Sequence, residues 1–244
     1  MAHITKLTET NNVSPDSPVT LSRYKLSQFV DCPRCFWLRV RQGVEPPKSL
    51  PLALNNAMDH LLKVEYDTHR QAGTLPPVFD GRVGGARLFP DAARLATWRN
   101  NRAGVRWTDP ATGHTLFGAI DDALQFPDGA LAIVDYKSTG SATPTVYDSY
   151  QLQMDVYTWL LQQLGFRTAP AAYFAFYVAV KDDGFNGRLP FRAELVEVTP
   201  QPERVSDLFR QAVVVAQSDR VPEPGDECDL CRWYGEAGSV FSRP

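Results

Sequence analysis

Two aspartates and a lysine near the middle of the chain have residue types and a spacing that could do chemistry. Asp135 and Lys137 end an apolar run and are separated by one tyrosine, and Asp121 precedes them along the chain. Side chains alternate across a β-strand, so Asp135 and Lys137 share one face. Two carboxylates beside an ammonium at the end of a buried hairpin can hold a hard divalent cation.

The stretch that carries these residues has the pattern of a β-hairpin. Pro127-Asp128-Gly129 is standard turn chemistry between two strands, which we predict over residues 114–126 and 130–137. The first strand brings Asp121 and its neighbour Asp122 alongside, and strand alternation turns these two side chains to opposite faces. An exposed hairpin with an ordinary Asp–Lys pair is the alternative interpretation, because a lone Asp-x-Lys often occurs by chance.

The four cysteines of the chain form two pairs with the same spacing, Cys32-Pro-Arg-Cys35 and Cys228-Asp-Leu-Cys231. In a reducing compartment this spacing favours a metal site over disulfides. Zinc and an iron–sulfur cluster both accept four thiolates, so the spacing leaves both open. The alternative is two unrelated pairs of buried thiols.

Composition is that of an ordinary soluble globular protein. The 244 residues are 43% hydrophobic and 22% charged, with a formal net charge of −3. No apolar run is long enough to span a bilayer, and the N-terminal residues lack the apolar core of a signal peptide, so we expect a cytoplasmic protein without membrane contact. The net charge does not indicate a nucleic-acid binder. Residues 82–106 nevertheless hold six arginines and one acid, which fits either a phosphate-tracking surface or the solvated side of a helix.

Hydrophobic periodicity and turn residues predict alternating helices and strands after a loose tail over residues 1–19. Ser22 is a predicted helix cap, and Pro33 suits the first turn of a second helix. The predicted helices cover about 21–31, 33–40, 51–70, 91–102, 146–164 and 202–217, and the further strands cover 105–108, 171–180 (buried and central) and 191–198 (at an edge).

Three polar residues on these helices are candidate site residues. His60 lies within a predicted apolar helix face, where a lone histidine is more often structural than a ligand. The residues of that face are Leu52, Leu54, Ala57, Leu61, Leu62 and Val64. Gln153 and Tyr157 are four residues apart and therefore share a helix face, although a half-buried amphipathic helix would show the same pattern.

In chain order, the motifs are the opening helix with Cys32-Pro33, His60, Gly118-Ala-Ile-Asp121, Asp135-Tyr-Lys137, Gln153-x-x-x-Tyr157 and Cys228-x-x-Cys231. Together they resemble the PD-(D/E)xK nuclease superfamily, specifically its RecB-like branch, which includes CRISPR-associated iron–sulfur exonucleases. The resemblance extends from about Leu21 to Trp233. There are two departures. Ile120 replaces the proline before the first aspartate, and the cysteines divide two and two instead of one and three, which leaves the identity of their metal in doubt.

The resemblance implies an α/β fold with a restriction-endonuclease-like core, in which helices flank a central mixed sheet. It implies a single nuclease domain over residues 20–244, with N- and C-terminal segments joined at a four-cysteine clasp (32–35 and 228–231). The cysteines would hold a 4Fe-4S cluster in preference to structural Zn²⁺. His60, Asp121, Asp135 and the Tyr136 carbonyl would bind Mg²⁺ or Mn²⁺.

The remaining implied roles belong to DNA cleavage. Lys137 would position the attacking water or offset charge in the transition state, and Gln153 and Tyr157 would orient the site or the DNA backbone. The expected activity is a metal-dependent DNA nuclease, in exonuclease mode, acting on single-stranded or frayed DNA in DNA processing, CRISPR adaptation or repair, with protein partners. The alternatives are a catalytically silent nuclease-fold binding protein with a structural metal site, and an unrelated metal-containing scaffold.

Overall fold

A computed structural model describes residues 17–47, 53–182, 184 and 187–241. It has a mixed α/β architecture, as the sequence predicts. The helices within these ranges are α1 (Arg23–Asp31), α2 (Pro33–Arg41), α3 (Ala53–Ala72), α4 (Ala92–Trp98), α5 (Asp148–Gln163), α6 (Val205–Gln217) and α7 (Asp229–Phe241). The strands are β1 (Thr20–Ser22), β2 (Arg87–Leu88), β3 (Val105–Thr108), β4 (Thr115–Gly118), β5 (Asp122–Gln125), β6 (Leu131–Thr139), β7 (Ala172–Ala179) and β8 (Phe191–Val198).

Contacts between Cα atoms divide the chain into two compact units. Among the described residues, one unit contains 17–47, 108–116 and 206–241, and the other contains 53–107, 117–182, 184 and 187–205. The single domain over 20–244 stays a prediction, and most of the predicted tail, residues 1–16, lies outside the described residues. In the described parts of the chain, no helix is long and apolar enough to cross a membrane.

A five-stranded mixed sheet forms the centre of the second unit, in the order β2-β5-β6-β7-β8. Strands β5 and β6 pair antiparallel, which confirms the predicted hairpin, whereas β6 and β7 pair parallel. Residues 131–136 of β6 are buried on both faces of the sheet, so the alternative of an exposed hairpin is wrong. The predicted central position of β7 and edge position of β8 are confirmed.

The predicted single strand over residues 114–126 is wrong: it is two strands, β4 and β5, in different sheets. The intervening residues bond to the end of α4 instead of a strand. The Ile120 N–H donates to the Trp98 carbonyl over 3.2 Å, and Arg99 Nε donates to the Asp121 carbonyl over 2.6 Å. Gly104 permits this path, since a Cβ there would lie 2.5 Å from the Gly118 oxygen. The interruption between β4 and β5, with its bonds to the end of α4, therefore fixes the backbone at Asp121.

Helix α3 packs on one face of β6 with only part of the apolar face that the sequence predicts. Leu62 and Tyr66 are its buried residues and join a core cluster with Val134 and Tyr136 of β6. The predicted apolar face is therefore confirmed at Leu62. It is wrong at Leu54, Leu61 and Val64, because all three side chains are exposed. The large ring of Tyr66, which lies 4.3 Å from the Tyr136 ring, determines which side of the helix meets the sheet.

In the first unit, Cys32 connects the first two helices, α1 and α2. Ser22 caps α1 as predicted, accepting the Lys25 N–H, and Pro33 opens α2. Cys32 ends α1 and caps α2 with its sulfur. The Phe29 and Phe36 rings pack edge to face between the two helices. Helix α7, which the sequence analysis did not predict, begins at Asp229, one residue after Cys228.

Candidate active site

Asp121 lies just before β5 and contacts the neighbouring strand. Its Oδ2 accepts the Tyr136 N–H over 3.1 Å, and its Oδ1 lies 3.3 Å from the Lys63 ammonium. The side chain is 20% exposed. The carboxylate is therefore accessible to solvent while its backbone and one oxygen are held beside the Asp135-Tyr136-Lys137 segment of β6.

Asp135, Lys137 and Gln153 form one hydrogen-bonded group between β6 and α5. Gln153 Nε2 donates to Asp135 Oδ1 over 2.5 Å, and Lys137 Nζ lies 2.5 Å from Asp135 Oδ2. Gln153 Oε1 in turn accepts from Lys137 Nζ over 3.3 Å. The Asp135 side chain is only 3% exposed. The structure thus brings these three predicted site residues together, and α5 closes one side of them.

The surroundings of Lys137 and Gln153 restrict both side chains. The Lys137 ammonium lies 4.7 Å from the centre of the Tyr150 ring and 5.7 Å from that of Phe174, both on the apolar side of the site. Such contacts stabilise a cation over an aromatic face. The buried Tyr157 hydroxyl accepts from Gln153 Nε2 over 3.4 Å. Because Tyr157 is buried, its position fits orientation of Gln153 better than contact with DNA.

His60 is exposed on α3. In the described ranges, the four cysteines are the only group of three or more His, Cys, Asp or Glu residues with ligand atoms within 4.8 Å of one another. The ligand atoms of His60, Asp121 and Asp135 are therefore not all within 4.8 Å of one another in this structure.

The α3 residue that reaches Asp121 is Lys63, which also pairs with Asp59 over 2.8 Å. Burial is the largest single influence on the pKa of Lys63 and lowers it, but the Asp121 and Asp59 carboxylates together outweigh burial, so the net shift is upward. Sequence reasoning missed Lys63. The Asp59-x-x-x-Lys63 spacing predicts a helical ion pair but not its contact with Asp121.

Asp122 is the first residue of β5, whereas Asp121 lies just before the strand. It is fully buried, and its Oδ2 accepts from Arg70 over 2.6 Å, from Arg99 over 2.9 Å and from the Tyr136 hydroxyl over 2.6 Å. These partners leave Asp122 poorly placed to bind a metal ion.

Arg99 connects this buried network to the candidate site. Besides Asp122 and the Asp121 carbonyl, it donates to both oxygens of Asp67 at 2.9 and 2.8 Å. Burial lowers the pKa of Arg99, but nearby groups, Asp122 foremost, raise it, and the net shift is upward. One of the six arginines between residues 82 and 106 is thus part of a structural network and not of a phosphate-tracking surface. No local motif in the sequence marks it.

The oxygen atoms at this site suit a hard divalent cation. The carboxylates of Asp121 and Asp135 are oxygen donors of the kind that Mg²⁺ and Mn²⁺ prefer, and the Tyr136 carbonyl directly follows Asp135 along the chain. Each carboxylate also pairs with a lysine, Lys63 or Lys137. A cation at Asp121 and Asp135 therefore competes with two ammonium groups.

The four cysteines meet in the first unit, which confirms the predicted site joining the N- and C-terminal segments. The Sγ–Sγ distances are 3.7 Å for Cys32–Cys231, 3.6 Å for Cys35–Cys228 and 3.5 Å for Cys35–Cys231. The group can hold a metal ion. Burial opposes ionisation of Cys32, but N–H groups of Gly225 and Cys35 lower its pKa to about 7. Burial raises the pKa of Cys231 to about 11.

Comparison with known proteins places the chain in a family. A family model of the PD-(D/E)XK nuclease superfamily matches residues 20–234. No curated protein matches the chain. Among solved structures, one described as "Crystal structure of SSO0001" is similar at 13% identity, covering 84% of this chain and 80% of that one with a TM-score of 0.41. Because the family model covers most of the residues, the chain belongs to the PD-(D/E)XK nuclease superfamily.

Proposed function

We propose that this chain is a divalent-metal-dependent deoxyribonuclease of the RecB-like branch, which hydrolyses phosphodiester bonds. The observation that carries the proposal is the convergence of Asp121, Asp135, Lys137 and Gln153 where β5 and β6 lie side by side. Members of the superfamily are usually metal-dependent nucleases, which supports the same reaction.

Asp121, Asp135 and the Tyr136 carbonyl are the groups that would hold Mg²⁺ or Mn²⁺. When bound, such a cation polarises the scissile phosphate and lowers the pKa of a coordinated water. His60 is a proposed further ligand, on the resemblance alone. Its exposed position on α3, one turn before Lys63, leaves the imidazole accessible from solvent.

Lys137 is the proposed catalytic cation of the chain itself. An ammonium is a compact charge on a flexible stem, so it can hold a water for attack or offset charge that develops on the phosphate. Gln153 bonds to both Lys137 and Asp135 and sets their relative position. Tyr157 acts through Gln153, as a positioning residue.

The proposed substrate is DNA with a single-stranded or frayed end, cut in exonuclease mode during DNA processing, CRISPR adaptation or repair. The net charge of −3 favours modest affinity for DNA alone, so we propose that protein partners supply part of the binding. A cytoplasmic location fits this role. Tight DNA binding by the isolated protein with a steep salt dependence would contradict the need for a partner.

The test is a cleavage assay on end-labelled single- and double-stranded DNA with Mg²⁺, Mn²⁺ or EDTA. Lys137→Ala is compared with the wild type, and Lys181→Ala, at an exposed lysine outside the site, is the matched control. We expect cutting that requires the metal, is lost in Lys137→Ala and survives in Lys181→Ala. Equal cutting by all three proteins would contradict the role of Lys137.

A second candidate function is a nuclease-fold protein that binds nucleic acid or a partner without cutting it. One observation favours it: both carboxylates are paired with lysines, and they do not form a tight ligand set with His60. Absence of cutting on every substrate, from a protein that is folded by circular dichroism and binds DNA, would support this function over hydrolysis.

A further inference from the structure

The four cysteine sulfurs are close enough to share one ion. Three of their separations are 3.5, 3.6 and 3.7 Å, and all four sulfurs lie within 4.8 Å of one another. A disulfide would bring two of them to about 2 Å. The sulfurs therefore surround a common point without forming a bond.

A single metal ion bound tetrahedrally by four sulfurs requires sulfur–sulfur distances of this size. With metal–sulfur distances of about 2.3 Å, the sulfurs at the corners of a tetrahedron lie about 3.8 Å apart. The observed separations are within a few tenths of an ångström of that value. Because all four positions are filled by protein sulfur, the site is closed, which is typical of a structural zinc site and not of a catalytic one.

A 4Fe-4S cluster, which the family resemblance implies, does not fit these sulfurs. Each thiolate in such a cluster binds a different iron at a corner of the cage, so the sulfurs stand about 6 Å apart. The same objection applies to a two-iron cluster, since sulfurs on opposite irons are separated by the width of the cluster. Sulfurs that all lie within 4.8 Å would have to move apart to admit either one.

The backbone around Cys32 is arranged for a thiolate. Its Sγ accepts N–H groups of Cys35 over 3.4 Å and Gly225 over 3.2 Å. Gly225 can approach only because it lacks a side chain, since a Cβ there would lie 2.1 Å from the Asp31 carbonyl oxygen. Four thiolates around a divalent ion leave excess negative charge, and N–H donors to the sulfur reduce it.

We propose that Cys32, Cys35, Cys228 and Cys231 bind a single structural Zn²⁺ in place of an iron–sulfur cluster. Zn²⁺ is favoured over a lone Fe²⁺ because N and S sites bind zinc more tightly in the general order of divalent metals. The ion would join the first turn of α2 to the start of α7. This inference rests on the sulfur geometry and is independent of the proposed nuclease activity.

The experiment is metal analysis of the full chain, expressed with both zinc and iron in the medium and purified without oxygen. We expect about one zinc per chain, no acid-labile sulfide and a colourless protein. A brown protein with iron and sulfide would overturn the proposal. So would one iron without sulfide, or a folded protein that retains no metal and takes up none when Zn²⁺ is added.

Two further measurements keep the test decisive if a cysteine variant fails to fold. Cys228→Ser should lose the zinc, whereas Asp229→Asn, at the neighbouring exposed residue, should keep it. Wild-type protein reloaded with Co²⁺ should show the intense visible bands of a tetrahedral thiolate site. A Co²⁺ spectrum of six-coordinate type, or unchanged zinc content in Cys228→Ser, would overturn the proposal. None of these readouts depends on DNA cleavage.

Discussion

The cysteine site and the carboxylate site differ in how far their ligand atoms are already gathered. Four sulfurs lie within 4.8 Å of one another around a common point. Asp121 and Asp135 instead each pair with a lysine. A closed set of ligands holds an ion for stability, whereas a site whose carboxylates exchange partners can admit a cation and a phosphate together.

Electrostatics explains why the two sites differ. Two ionised carboxylates repel each other at short range, so a protein holds them near one another by supplying positive charge. Here Lys63 and Lys137 supply it. The four cysteine sulfurs would instead share one Zn²⁺, whose charge offsets their repulsion and lets them pack together. Lys63 and Lys137 therefore compete with the proposed cation for the carboxylates of Asp121 and Asp135.

The largest expected effect is on cleavage in Asp135→Asn. The substitution keeps the shape of the side chain but removes the charge that would bind the cation, so we expect the cleavage rate to fall by roughly a thousandfold. Single-turnover cleavage at saturating Mn²⁺ measures it, and zinc content should stay unchanged. Loss of zinc in this variant would show that the two sites are not independent.

Removal of the cysteine-bound ion should act on stability instead. A mercurial reagent with a chelator should release zinc and lower the melting temperature by about 10 °C, since metal binding at a structural site contributes folding free energy. Brief EDTA treatment followed by Mg²⁺ should restore cleavage, because it empties only the exchangeable site. Calorimetry on the same samples compares the two treatments. Equal shifts of the melting temperature after zinc release and after brief EDTA treatment would contradict a structural role for the cysteine-bound ion alone.

Arg99→Lys should have a smaller effect on both properties. Lysine cannot reproduce the contacts of the guanidinium with Asp67, Asp122 and the Asp121 carbonyl, so we expect a loss of about 2 kcal/mol in the free energy of unfolding. Urea denaturation measures this loss. Because Asp121 is then held less firmly, cleavage should slow about tenfold. Arg94→Lys, at a half-exposed pair on α4, is the control and should change little.

The smallest expected effect concerns the competition for Asp121. Lys63→Met should tighten Mn²⁺ binding roughly threefold to tenfold by removing a competing charge. Asp59→Asn should weaken it, because Lys63 then has only Asp121 as a carboxylate partner. Free Mn²⁺ measured by electron paramagnetic resonance gives both affinities without DNA. If Asp59→Asn weakens binding equally in the Lys63→Met background, its effect does not pass through Lys63.

Residues close together in sequence made the core of the site predictable. Asp135 and Lys137 lie on one strand, and Gln153 and Tyr157 lie on one helix face, so local periodicity placed each pair correctly. The cysteine spacing likewise predicted their meeting. Periodicity also gave β7 and β8 almost to the residue, because a buried run and an alternating run differ clearly.

The contacts that the sequence did not predict depend on tertiary packing. Arg99 reaches Asp121 and Asp122 only because the chain breaks at residues 119–121 and bonds to α4. Lys63 reaches Asp121 because Tyr66 joins Leu62 against the sheet, whereas Leu61 of the predicted face is exposed. Both outcomes depend on packing against distant strands, which no local window of sequence contains.

The most direct test of the central claim is single-turnover cleavage of end-labelled DNA by wild type and Lys137→Ala as Mn²⁺ is titrated. We predict Mn²⁺-dependent cutting by the wild type and a rate at least about a hundredfold lower in Lys137→Ala, with both proteins folded and carrying one zinc. Equal rates in the two proteins, or cutting by the wild type without a divalent cation, would contradict it.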